Sequence, residues 1–327
     1  MHLRGVSDPA HRVLTAIGSL QADFPGYVIW CETVRGRVTY VAQASDADTN
    51  PQVVMSASLD RLRARLEEPV VPSGPAKPNV ARVYDCLLGG STNFAADRDE
   101  AARLLAADPR IGDLARENRA FMTRAVTDVA RRGVSQFIDI GAGLPTSPNT
   151  HQTAQRVNPA ARVAYIDNDP VAVSHARFLL ARDPGVVAIP GDLRDPAAIL
   201  AAPALNGLIN LADPVCVLMV AVLHFLAPAT AAQIAASVMA ATAPGSYLVL
   251  SVGHAGSGEV SSIHRAYTAA RLHHHTQADV EGYFRGLDLL PPGVTDVATW
   301  GQPADGLPAG EHGGGQATVL AGVGRKT

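Results

Sequence analysis

Residues 137–146, Phe-Ile-Asp-Ile-Gly-Ala-Gly-Leu-Pro-Thr, run from an apolar stretch straight into a turn carrying Gly141 and Gly143. Glycine at both places lets the chain bend sharply and removes the Cβ that would keep a ligand off the backbone, as in nucleotide-binding strand-to-helix turns. The turn matches neither phosphate-binding signature: Thr146 stands where a dinucleotide fingerprint needs a third small residue, and no Gly-Lys-Ser/Thr comes after it. Two acidic residues lie downstream. Asp167 closes an apolar run 26 positions after Gly141, where a ribose-binding carboxylate belongs, and Asp192 closes Val187–Gly191 another 25 positions on. One carboxylate can accept from both ribose hydroxyls and the other from the exocyclic amine of adenine. Ribose and adenine are provided for and phosphates are not, so these residues suit a phosphate-free nucleoside, of which S-adenosylmethionine is the common cofactor example.

Each of these residues also has a purely structural reading. The glycines would serve tight strand-to-helix packing, and Asp167 and Asp192 would cap the helices after them. Asn168 either supports the ribose carboxylate or shapes the turn. His224 comes after the apolar run Val215–Val222 and is a general base or a hydrogen-bonded structural residue.

The elements that must hold these side chains form an alternating pattern. Short β-branched runs at Gln136–Ile140, Arg162–Ile166, Val186–Pro190, Val215–Val222 and Tyr247–Val252 are separated by helical stretches, which predicts βαβ units on a parallel sheet. Ahead of them, Val80–Leu88, Asp97–Ala106 and Asp113–Arg131 read as helices, the last with an apolar stripe of Leu114, Phe121, Met122, Ala125, Val126 and Val129. Behind them, Leu287–Trp300 and Ala317–Val323 pair antiparallel as a mixed edge. Pro69, Pro72, Pro75 and Pro78 recur every third residue and predict an extended linker over 69–78. Residues 1–68 then form a small α-β-β-α domain, with helices at Pro9–Leu20 and Ser56–Leu66 around strands Tyr27–Val34 and Arg37–Ala42 joined at Arg35-Gly36.

Composition narrows the function class. With 27 basic and 30 acidic residues the chain has a net charge of −3, without the basic balance that nucleic-acid backbones require. Cys31, Cys86 and Cys216 are far apart and make no zinc or disulfide spacing. His273-His274-His275 points in different directions if helical, so no metal site is expected there. No apolar run reaches the ~20 residues of a membrane span, and a cytoplasmic protein is expected.

Several runs resemble one family. Arg82-Val83-Tyr84-Asp85-Cys86-Leu87-Leu88-Gly89-Gly90-Ser91-Thr92-Asn93-Phe94-Ala95-Ala96-Asp97-Arg98, the glycine turn, Tyr165–Pro170, Gly191–Pro196 and Ala221–Phe225 are similar to the actinobacterial S-adenosylmethionine-dependent methyltransferases also called DUF574. The resemblance covers Pro78 to Lys326 and departs at Ser91-Thr92, where the family has Lys-Asp. It implies a seven-stranded, Rossmann-like methyltransferase fold with an antiparallel last strand over 79–327. The helices ahead of the sheet would form a lid over the methionine end of S-adenosylmethionine. Tyr84, Asn93, Arg119, Leu193 and Ala221 would then join Gly141, Gly143, Asp167, Asn168 and Asp192 around the cofactor. Arg119 suits the methionine carboxylate, a surface ion pair being its alternative. A small-molecule acceptor would take the methyl group, with His224 as the candidate catalytic residue. Two rivals stand beside this reading: a non-catalytic S-adenosylmethionine-binding regulator whose N-terminal domain makes a protein contact or dimer, and a nicotinamide-dependent oxidoreductase, which the residue at Thr146 disfavours.

Overall fold

The computed structural model describes residues 9–34, 37–44, 53–67, 77–180, 183–254, 263, 265–302 and 318–327. All of the proposed linker except Lys77 and Pro78 lies outside them, as does the turn at Arg35-Gly36. The chain divides into two compact units, the first comprising residues up to Lys77 together with Ser91–Ala96, the second the remainder.

In the first unit, helix α1 (Pro9–Asp23), strands β1 (Tyr27–Val34), β2 (Arg37–Ala44) and β3 (Val53–Ser56) and helix α2 (Leu59–Glu67) make an antiparallel sheet in the order β1-β2-β3 with its helices. Ile17, Leu20, Ile29, Ala42, Val54 and Leu62 form its core. The sequence pattern predicts a helix start at Ser56. Instead Ser56 ends a third strand and the helix begins at Leu59, where Ser58 Oγ accepts the Arg61 N–H at 3.3 Å.

The second unit opens with helices α3 (Val80–Leu87), α4 (Ala95–Ala107), which belongs to it from Asp97 onward, and α5 (Ile111–Arg131). Its sheet then grows by strand–helix alternation: β4 (Gln136–Ile140), α6 (Thr150–Val157), β5 (Arg162–Asp167), α7 (Pro170–Leu180), β6 (Val186–Pro190), α8 (Pro196–Leu200), α9 (Pro203–Asn206), β7 (Cys216–Val220), α10 (Pro228–Ala240) and β8 (Tyr247–His254). Helix α11 (Gln277–Gly282) precedes β9 (Leu287–Leu289), β10 (Thr295–Asp296) and β11 (Thr318–Lys326). Strand order is β10-β11-β8-β7-β4-β5-β6, parallel from β8 to β6, with β11 antiparallel to β8 and β9 also on β11.

A parallel sheet must be covered on both faces, which is why β4 is buried at all five residues. Phe137, Val163, Leu218 and Val249 face Phe121, Met122, Ala125 and Val126 of α5, with α6 and α7 on the same side. Ile138, Ile140, Val217 and Leu250 face α8–α11. Each large side chain so buried contributes about 1.5–3 kcal/mol.

Two expected strands end differently. The run to Val222 stops at Val220 because Ala221 takes a left-handed φ of 55°. The Leu287–Trp300 segment divides into β9 and β10 around Pro291-Pro292-Gly293, where prolines cannot donate to a ladder. No helix among the described residues is long and apolar enough to cross a membrane.

Candidate functional site

A cavity of about 690 Å³ opens along the carboxyl edge of β6, β5, β4, β7 and β8 and runs under α3 and α5. Tyr84, Arg119, Gly141, Gly143, Asp167, Asn168, Asp192, Leu193, Ala221 and His224 all line it. Asn93 is buried and is not among the lining residues.

The glycine turn is shaped from inside the protein. Gly141 has φ +74° and a Cβ there would lie 2.6 Å from Val222 Cγ2; Gly143 has φ +65°. The N–H groups of Gly141 and Ala142 both donate to the Ile166 carbonyl, at 2.8 and 3.1 Å, and Gly143 N–H donates to Asp167 Oδ2 at 2.7 Å. Asp167 Oδ1 accepts the Asp169 N–H at 2.8 Å. Burial pushes the Asp167 carboxyl above the ordinary carboxylate range, and these backbone donors oppose the shift. An ionised carboxylate offers about four lone-pair sites, so two accepted bonds orient the group and leave capacity toward the cavity.

Neither carboxylate is a helix cap. Asp169, immediately before α7, accepts Val171 N–H at 3.0 Å, and Asp195 caps α8 through Ala198 N–H at 3.0 Å. Asp192 is paired within its own loop, where Arg194 Nη2 reaches Oδ2 at 2.6 Å and holds the carboxyl below its usual range.

On the α5 side, Arg119 Nη2 donates to the carbonyls of Thr146 and Pro148, both at 2.9 Å, which sets its guanidinium at the cavity rather than in an ion pair among the described residues. Asp139, two residues before Gly141, is buried in the cavity wall and accepts from Thr150 Oγ1 at 2.6 Å; burial pushes its carboxyl up. Tyr84 OH donates to Ala115 O at 3.1 Å and accepts from Asn118 Nδ2 at 2.9 Å. Asn118 Oδ1 accepts from Ser251 Oγ at 2.6 Å, and Ser251 Oγ accepts the Ala221 N–H at 3.0 Å. The left-handed Ala221 turn is therefore held by a buried polar chain running from α3 through α5 to β8, the kind of strain that accumulates at functional sites.

A second brace lies behind Asp167. Buried Arg82 donates from Nε to Asp97 Oδ2 at 2.9 Å and from Nη1 to Asp169 Oδ2 at 3.0 Å, joining α3, α4 and the turn after β5.

The β7–β8 end differs in character. Phe225 stacks on Tyr267 with centroids 5.9 Å apart, and His224 meets the Phe225 ring edge-on at 4.3 Å. Leu226, Ile263, Leu272, His254, His273 and His274 complete that wall. Gly253 N–H donates to His224 Nδ1 at 3.2 Å, so the neutral ring carries its proton on Nε2 and the lone pair a base would use is already engaged.

Asp139, Asn118, Ser251 and His254 do not stand out in the sequence. The signal for the first three is the same, a polar residue inside an otherwise apolar strand or helix stripe, which marks a group that must find a buried partner.

A family model described as S-adenosyl methyltransferase matches residues 74–327. The chain belongs to that family. A DUF574 family protein from Streptomyces avermitilis is similar at 35% identity over 77% of this chain and 98% of its own, with a TM-score of 0.71. A candidate methyltransferase from Thermobifida fusca is similar at 38% identity over 77% of this chain and 96% of its own, with a TM-score of 0.70. Among curated proteins none matches this chain. The site of this S-adenosyl methyltransferase fits the cofactor on its own geometry. All three N–H groups of the glycine turn are spent inside the protein, and α6 begins only at Thr150, so no array of free donors awaits a pyrophosphate. The carboxylate of Asp167 and the guanidinium of Arg119 suit a ribose diol and an amino-acid carboxylate instead.

Proposed function

We propose that the enzyme methylates a small-molecule acceptor held at the β7–β8 end of the cavity, with S-adenosylmethionine lying between Asp192 and Ala221. The observation that carries this reading is the division of one continuous cavity: carboxylates at the β5–β6 end, a stacked aromatic pair and imidazoles at the other. Three strand spacings, about 14 Å, separate β5 from β8, room for a nucleoside and a second molecule end to end. Asp167 accepts from the ribose hydroxyls, Asn168 and Leu193 bound the adenosine, and Asp192 takes the adenine amine. Arg119 meets the methionine carboxylate, and the buried Asp139 lies on the same side for its ammonium group. When bound, the sulfonium supplies an already activated methyl group, so the protein's work is alignment, exclusion of water and management of one acceptor proton. His224 lines the acceptor end, and Phe225 and Tyr267 supply a flat apolar wall.

Calorimetry of the full chain with S-adenosylmethionine, S-adenosylhomocysteine and NAD tests the cofactor end: the first two bind and NAD does not. A screen of small aromatic and heteroaromatic acceptors for S-adenosylhomocysteine release tests the other end. Release confined to protein or nucleic-acid acceptors would refute the small-molecule reading.

A further inference from the structure

The last two residues of β8 fix the protons of two imidazoles in opposite ways. Gly253 gives its N–H to His224 Nδ1, which leaves His224 protonated on Nε2. His254 Nδ1 lies 2.8 Å from the carbonyl oxygen of His275. A carbonyl cannot donate, so this Nδ1 carries the hydrogen and the neutral ring has its lone pair on Nε2. Nε2 of His254 has no hydrogen-bond partner among the described residues, and His254 is a cavity-lining residue at the carboxyl edge of the sheet. The carbonyl that fixes it is itself held: the His275 ring is buried, with Nδ1 at 2.5 Å from Tyr283 OH and Nε2 at 3.0 Å from Leu226 O. His275 therefore has no nitrogen to spare, whereas His254 has one.

We propose that His254, not His224, is the general base, and that it serves an acceptor whose reacting O–H or N–H must be deprotonated. This rests on the methyl-transfer reading above. The acceptor heteroatom uses a lone pair to form the new bond to carbon, the carbon–sulfur pair stays on sulfur, and the acceptor proton moves to His254 Nε2. The resulting imidazolium keeps one N–H on the His275 carbonyl and directs the other at the methylated heteroatom. Among the described residues the other charged or titratable groups on this wall are Tyr267, Arg271, His273 and His274, whose ring lies 5.7 Å from that of His254, and none of these is a carboxylate. The acceptor class this chemistry requires is a phenol, alcohol or heteroaromatic N–H.

The test uses the full chain labelled with 15N-histidine and saturated with S-adenosylhomocysteine, the rings assigned through His254→Gln and His224→Gln. Long-range 1H–15N spectra should show neutral His254 protonated on Nδ1 and neutral His224 on Nε2. The reverse arrangement at His254 overturns the proposal. Diethyl pyrocarbonate, which acylates an imidazole nitrogen bearing a lone pair, should modify His254 at neutral pH and spare His224. A His254 that stays unmodified while His224 reacts also overturns it. Calorimetry with S-adenosylhomocysteine on the same samples separates the two readings: wild type that fails to bind removes the methyl-transfer assignment, whereas intact binding with the wrong tautomer removes only the base.

Discussion

Ser251 donates its hydroxyl to Asn118 Oδ1 at 2.6 Å, joining β8 to α5 beneath the cavity. The same oxygen accepts the Ala221 N–H, so one small side chain supports both the helix and the strained turn. Ser251→Ala leaves a fully buried amide oxygen without its donor. The expected cost is about 1–3 kcal/mol, read as a lower urea midpoint with unchanged slope. A stability equal to wild type would mean that the Asn118 oxygen finds another donor.

Arg82 neutralises two buried carboxylates at once. Arg82→Leu removes the cation that Asp97 and Asp169 share, which should cost about 3–5 kcal/mol. Because Asp169 also gives its N–H to Asp167, S-adenosylmethionine binding should weaken in whatever fraction stays folded. Thermal unfolding within about 1 kcal/mol of wild type would exclude a stabilising role for the triad.

Asp167→Ala removes an acceptor of charge-assisted hydrogen bonds worth about 1.5–3 kcal/mol each, so S-adenosylmethionine affinity should fall on the order of 10- to 1000-fold. Asp167→Asn should lie between, and the difference should vanish for a cofactor analogue lacking both ribose hydroxyls. Titration calorimetry of the three proteins decides it; an Ala variant binding as tightly as wild type would end the ribose assignment.

Asp139 provides a pH test with a defined sign. Burial holds its folded-state pKa above that of the unfolded chain. Its contribution to stability is therefore complete below the unfolded value, about 3.9, and is lost as pH rises through the folded one. At neutral pH the ionised carboxylate is a burden. Asp139→Asn should keep the Thr150 bond, raise the melting temperature at neutral pH, narrow that gain as the pH is lowered and weaken S-adenosylmethionine binding. A melting temperature that falls at neutral pH would show that Arg119 compensates the charge fully.

The two glycines of the turn should rank. Both need left-handed backbone, a penalty of about 1–2 kcal/mol for alanine. At Gly143 the nearest atom to a new Cβ is Ala81 Cβ at 3.9 Å, whereas at Gly141 it is Val222 Cγ2 at 2.6 Å. Gly141→Ala should unfold at lower urea than Gly143→Ala, and the reverse order would contradict the packing.

The features legible in the sequence are those the chain encodes locally. The parallel strands show as β-branched runs, the glycine turn as two glycines after one of them, and Asp167 as the acidic end of the next, because neighbours in sequence set all three. Asn118 and Ser251 are 133 residues apart, and nothing near either one announces the other. The third N-terminal strand, Val53–Ser56, is only four residues long and gains its identity by pairing with β2. His224 and His254 look alike in the sequence. Only the tertiary arrangement shows that one ring faces an N–H and the other a carbonyl.

The Arg82 node also constrains how the molecule can assemble. A guanidinium cannot be desolvated in instalments: until α4 delivers Asp97 and the loop beyond β5 delivers Asp169, burial of Arg82 is opposed by the loss of its water. The helices that precede the sheet and the loop that carries Asp167 are thus committed in one cooperative event. A fragment beginning at Gln136 would retain the glycine turn, Asp167 and the strand ends in its sequence, yet arrive at the binding edge with the Asp169 carboxylate deprived of its Arg82 cation. Excising the sheet as a minimal catalytic core should yield a collapsed chain rather than a smaller enzyme.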